Sequence, residues 1–152
     1  MKAISLWQPW ASAISLGIKR IETRSWETDY RGPLAIHAAK RLEEAQARRL
    51  KAEGVPLPDF YPTGAIVAVC ELATIVTARG IRNGDDALWP VLIPHPKGGN
   101  LSIAHGPYER RLGDYGDGRF AWVLRNVRAL ERPVQLRGRQ GLFDVPDELI
   151  KE

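Results

Sequence analysis

The chain has a single cysteine, Cys70, and three histidines in 152 residues. A lone cysteine closes no internal disulfide, so nothing in the chain demands an oxidising compartment, and it excludes zinc sites built on two or more thiolates. His37, His95 and His105 lie far apart and lack the spacing of a helical metal-binding pair, so no metal or cofactor motif is present. Long hydrophobic runs are also missing: no uncharged stretch reaches the length of a membrane span. After Lys2 the apolar opening is broken by Gln8, Pro9 and several serines and ended by Lys19 and Arg20, which does not fit a secretory leader. The expectation is a cytoplasmic protein with no membrane partner and no cofactor. Internal repeats, low-complexity tracts and an obvious linker are absent too.

What is present is the composition of an ordinary folded domain, 44% hydrophobic and 26% charged. The length suits one domain, residues 1–152, able to bury a core without staples. A net charge of +4 biases the surface mildly toward anionic partners.

Lys2 to Leu6 reads as a first strand. Pro9 suits the first turn of a helix, Trp10, Ala13, Ile14 and Leu16 give it an apolar face, and Gly17 suits the position past its end. Ile18 to Trp26 reads as a turn into a strand. Leu34 to His37 resembles a buried strand. Ala38 to Glu53, rich in helix formers and followed by Gly54 and Pro56, predicts the clearest helix, with its cations on a solvated face. Gly64 to Val76 predicts a central strand with Ile66, Ala68, Cys70 and Leu72 on one face and Val67 and Val69 on the other. From 77 to 118 periodicity fails, which predicts a long insertion loop with a brief helix near Pro107–Leu112. Phe120, Trp122 and Leu124 alternate along a strand, Val134 to Leu136 begins another, and Leu142 to Val145 closes the series before a terminal helical turn. The fold class is α+β: about six strands in a small, mostly antiparallel barrel with helices packed at its ends.

One stretch concentrates polar residues: Gly17-Ile-Lys19-Arg-Ile-Glu22-Thr-Arg24, followed by Trp26 and preceded by Leu6-Trp-Gln8-Pro-Trp10. As a strand, its two-residue period puts Arg20, Glu22, Arg24 and Trp26 on one face and Ile21 and Thr23 on the other. Lys19, at the turn, leans over the same groove. Two readings stand side by side: a ligand cleft, or a surface ion-pair ladder worth under about 1 kcal/mol per pair. Trp122 and Trp10 read as packing, whereas Trp7 and Trp26 sit nearer polar neighbours. His37 reads as a core histidine. Arg137-Gly-Arg139-Gln140-Gly141 is a basic, glycine-flanked turn suited to gripping phosphate.

The pattern Gly17-x-Lys19-x-x-Glu22-x-Arg24 resembles the signature of the ASCH domain, a branch of the PUA-like superfamily. Ser5 to Ala11, Leu34 to Ala38 and Thr63 to Ala68 resemble the flanking helix entry and strands in the same order, over roughly residues 4–76. The resemblance implies a PUA-like barrel with a cleft beside the first helix, and RNA or a modified nucleoside or nucleotide as partner. Some members of the wider family are amidohydrolases, with a threonine nucleophile at the position of Glu22 next to a lysine at the position of Lys19. The glutamate here departs from that pattern, because a carboxylate does not replace a hydroxyl nucleophile.

On this reading Gln8, Lys19, Glu22, Arg24 and Trp26 line the cleft, with Arg137, Arg139 and Gln140 as further RNA contacts. Lys19 and Arg24 bind phosphate or a base carbonyl, Glu22 accepts from a base amino group, and a tryptophan stacks. Two alternatives remain open: a hydrolase using Glu22 as general base and Lys19 as electrostatic stabiliser, and a protein-interaction module.

Overall fold

The computed structural model describes residues 1–79, 92–94, 100–102 and 108–150. The chain starts as strand β1, Lys2–Gln8, which buries Ala3 in one core and Ile4 and Leu6 in another. Helix α1, Trp10–Ser15, follows, and Gly17 turns the chain out of it at φ +76, a left-handed conformation that glycine adopts without strain. Strand β2 is Ile21–Arg24, β3 is Gly32–Leu42, helix α2 is Glu44–Ala52 and β4 is Ala65–Thr77. Short strands β5, Leu92–Pro94, and β6, Asn100–Ser102, pair with each other. A 3-10 turn at Glu109–Leu112 leads to β7, Phe120–Gln135, then β8, Phe143–Asp144, and a last 3-10 turn at Asp147–Leu149.

The six-stranded sheet runs β2-β7-β4-β3-β1-β8. All neighbours are antiparallel except β1 and β3, which are parallel because the connection between them crosses over through α1 and β2. The α+β class holds, but the expected barrel is not closed. The order ends at two short strands: among the described residues β2, of four residues, pairs only with β7, and β8, of two, pairs only with Lys2 and Ala3.

The middle strands are buried on both faces. One face carries the main core, in which Ile4, Leu6, Ile14, Leu34, Ile36, Leu72 and Trp122 pack together. The other carries Ala3, Ala35, Ile66, Val69, Phe143 and Val145. Cys70 is buried, donates to the Leu34 carbonyl, and has its thiol pushed up to about 12 by desolvation, which makes it inert at neutral pH.

Three expectations change. Residues 38–42, predicted as helix, continue β3, because pairing with β4 at Ala38 and with β1 at Ala38 and Leu42 outweighs helix propensity. Bulges in β4 break the predicted alternation, so that Ile66 and Val69 share one core and Ala68, Cys70 and Leu72 the other. The two predicted strands after Phe120 are one 16-residue strand, which passes through a left-handed residue, Asn126 at φ +50. Within the predicted insertion, the 3-10 turn falls where the brief helix was expected. His95, His105 and Pro107 lie outside the described residues.

Candidate functional site

Alternation in β2 sorts its side chains as the two-residue period requires: Ile21 and Thr23 are buried, Glu22 and Arg24 partly exposed. Both face an open cleft of about 550 Å³ between β1, α2 and the turn after Glu109–Leu112. Its walls carry the indoles of Trp7 and Trp10 and four arginines, Arg24, Arg49, Arg111 and Arg119, against the carboxylates of Glu22 and Asp114. Arg49 and Gln46, three residues apart on α2, face the rim together, while Ala47 and Leu50 face inward.

Lys19 does not lean over this cleft. It is fully buried, and its ammonium donates to the carbonyl oxygens of Ile21, at 2.5 Å, and Leu112, at 2.8 Å. Its remaining neighbour is Glu22 Oε1 at 3.7 Å. The Leu112 carbonyl is in place because the Leu112 side chain is anchored in a core of Ala13, Leu50, Val55 and Leu57 between the two helices. Glu22 is held from three sides. Thr23 N donates to Oε1 at 2.9 Å, Lys19 stands behind, and Arg24 Nε lies 3.8 Å from Oε2. Arg24 in turn donates through Nη2 to the Ser5 carbonyl at 2.5 Å, tying β2 to β1 across the cleft floor.

A buried carboxylate, Glu109, fixes the start of β2. Its oxygens accept from Arg20 N at 2.9 Å and Ile21 N at 2.9 Å. Thr23 extends the same fastening, since its Oγ1 accepts from Asp114 N at 3.1 Å and its carbonyl from Arg119 Nη2 at 2.9 Å.

Two other expected cleft residues turn inward. Gln8 is buried and spent on the fold: Nε2 donates to Ser12 Oγ and the Pro62 carbonyl, and Oε1 accepts from Ser12 N, fastening the start of α1. Trp26 packs edge-on against Trp122 at 4.9 Å and accepts from its indole N–H through the backbone carbonyl. The strand period ends at Arg24, so it does not carry Trp26 to the cleft face.

Arg137, Arg139 and Gln140 line a second cleft of about 860 Å³ on the other side of Trp7, with Lys40, Gln135 and His37. Ser5 and Trp7 border both clefts. His37 is buried and bridges the strands. Its Nε2–H donates to the Leu136 carbonyl at 2.6 Å, which leaves Nδ1 to accept from the Ser5 hydroxyl at 2.9 Å. Burial pushes the imidazole below its ordinary range, with the Leu136 bond opposing.

Sequence reasoning favoured packing for Trp10 and passed over Arg49, Arg111, Arg119 and Lys40. The arginine on α2 reads as a solvated face, and Arg111 falls in a stretch without periodicity. Among the described residues no three His, Cys, Asp or Glu side chains cluster as a metal site would need, and no helix is long and apolar enough to cross a membrane.

The family model for the ASCH domain matches residues 4–133. This chain belongs to the ASCH family. Mouse and human Activating signal cointegrator 1 are each 40% identical to it over 84 residues, half of this chain and 14% of each relative, so the chain spans a small part of those proteins. Crystal structures of ASCH from Zymomonas mobilis share the fold. The parent protein is 21% identical with a TM-score of 0.55, over 97% of this chain and 89% of that one. A point variant is 22% identical with a TM-score of 0.53, over 97% and 91%. The matched region of this ASCH chain includes β2 and every strand that borders the first cleft.

Proposed function

We infer that this ASCH chain binds RNA or a modified nucleotide in the cleft beside β2. The observation that carries the reading is the meeting, in one open cleft, of two indoles, several guanidinium groups and a fixed carboxylate. Stacking surface takes a base, arginines take phosphate, and Glu22 accepts from a base amino group. In this reading Glu22 and Arg24 touch the ligand, and Lys19 acts through Glu22 as a positioning residue.

The hydrolase alternative keeps Glu22 as a general base but has no access for Lys19, which is fully buried and donates to two carbonyls. The interaction-module alternative finds little support. Among the described residues the exposed large apolar side chains are Trp7, Leu16, Phe60 and Leu149, each from a different segment of the chain.

Tryptophan fluorescence titrated with short ribo-oligonucleotides tests the proposal. Quenching is expected at low salt, with affinity falling steeply as salt rises. Replacing Trp7 by Ala is expected to weaken binding by at least about fivefold, the lower end of a lost stacking contact of roughly 1–3 kcal/mol. A fluorescence signal indifferent to every oligonucleotide at low salt would refute it.

A further inference from the structure

The second cleft differs from the first in charge. The first mixes arginines with Glu22 and Asp114, whereas among the described residues the ionised side chains around the second are Lys40, Arg137 and Arg139, all exposed, with no carboxylate beside them. None of these three cations has an ion-pair partner among the described residues. Such a cleft suits phosphate rather than a base edge.

This basic turn is seated and not merely exposed. Gly138 lies directly over the Ser5–His37 pair: a Cβ there would stand 2.5 Å from Ser5 Oγ and 2.5 Å from His37 Cε1, both too close to fit. The turn therefore reaches its seat only with glycine at this point, and His37 holds its entry through the Leu136 carbonyl. Arg137 and Arg139 flank the seated glycine and are presented from a fixed base. A bulge supplies the third cation. Between Leu6 and Gln8 on β1 and Ala38 and Leu42 on β3 the register slips, which sets Lys40 into the cleft and Arg41 over the Trp7 ring, 4.0 Å from its centroid.

Trp7 is the ridge between the clefts. It is 48% exposed and borders both. Resting on the reading of the first cleft as a nucleotide site, we propose that the ligand is a single strand of at least two nucleotides, not a free nucleoside. One base enters the first cleft against the tryptophans, the strand crosses Trp7, and the adjoining phosphate lies on Lys40, Arg137 and Arg139.

The test compares uridine monophosphate with tetrauridylate, and the corresponding adenosine and cytidine ligands, by fluorescence titration of the full chain. Tetranucleotide affinity is expected to exceed mononucleotide affinity by about tenfold or more at low salt. The Arg137→Ala/Arg139→Ala double variant, folded as judged by its melting curve, collapses that ratio toward one. It also reduces the slope of log K against log salt by about 0.7, the value for one single-strand phosphate. Equal affinity for the two lengths would overturn the strand while leaving nucleotide binding intact. A high ratio that the double variant does not change would overturn the second cleft as its seat. Binding of neither length would overturn both this inference and the proposed function.

Discussion

Burying an ammonium is costly unless oxygen takes up its protons. Lys19 meets that condition with two backbone carbonyls and the Glu22 carboxylate, so it is as much a strut as a charge. Lys19→Met is expected to cost about 3 kcal/mol, because two buried carbonyls lose their donor and the Glu22 carboxylate loses its counter-charge at once. That loss lowers the melting temperature by about 6–12 °C for a chain of this size. Glu22→Gln keeps an acceptor for Thr23 N and is expected to melt close to the parent while binding nucleotide more weakly. Calorimetry and titration of both variants check the pair of expectations, and a near-native melting temperature for Lys19→Met would contradict the strut. The contrast marks what was legible from sequence at this scale. The two-residue period of Ile21–Arg24 is a local property and gave the right faces for Glu22 and Arg24. The burial of Lys19 depends on a carbonyl 93 positions along the chain, and no local pattern reports it.

Elements follow the same division. The first helix and the stop at Gly17 were readable because an apolar face and a glycine mark them locally. The β3–α2 boundary was not, since Ala38 to Leu42 are helix formers by composition and strand by pairing. The turn at Arg137–Gln140 was readable as a turn, but its seat was not, because Ser5 and His37 come from two other strands. That seat has a pH signature. Burial lowers the His37 pKa in the folded state, so the unfolded chain binds the extra proton more readily. The contribution to stability is full above the unfolded value, about 6.5, and is lost as pH falls below it. Protonation also removes Nδ1 as the acceptor for Ser5 and sets a cation beside Lys40, Arg137 and Arg139. Urea midpoints are expected to fall between pH 7.5 and 5, and to fall less in His37→Gln. Gly138→Ala is expected to cost about 1–3 kcal/mol at neutral pH, as overpacking does.

The whole molecule is organised by one sheet with a core on each face, sharing β1, β3 and β4. Removing Trp122, which is fully buried and packed on Trp26, is therefore expected to weaken the molecule as a unit. Trp122→Ala should cost about 3–5 kcal/mol. Circular dichroism and fluorescence should still report one coincident transition, and two separated transitions would contradict a single cooperative body. The longest ladder in the sheet joins β4 to β7 through ten paired positions, from Ala65 with Gln135 to Thr77 with Phe120. These strands stand on either side of residues 80–107 in the chain, so the covalent link between them is not what holds them together. Glu109 and Leu112 add two more fastenings from the later half to β2 and Lys19 of the earlier one. A backbone cut inside that interval would leave two pieces still zipped to each other. Co-expressed as separate polypeptides, residues 1–79 and 108–152 are expected to reconstitute one particle on size-exclusion chromatography, with both clefts restored by complementation.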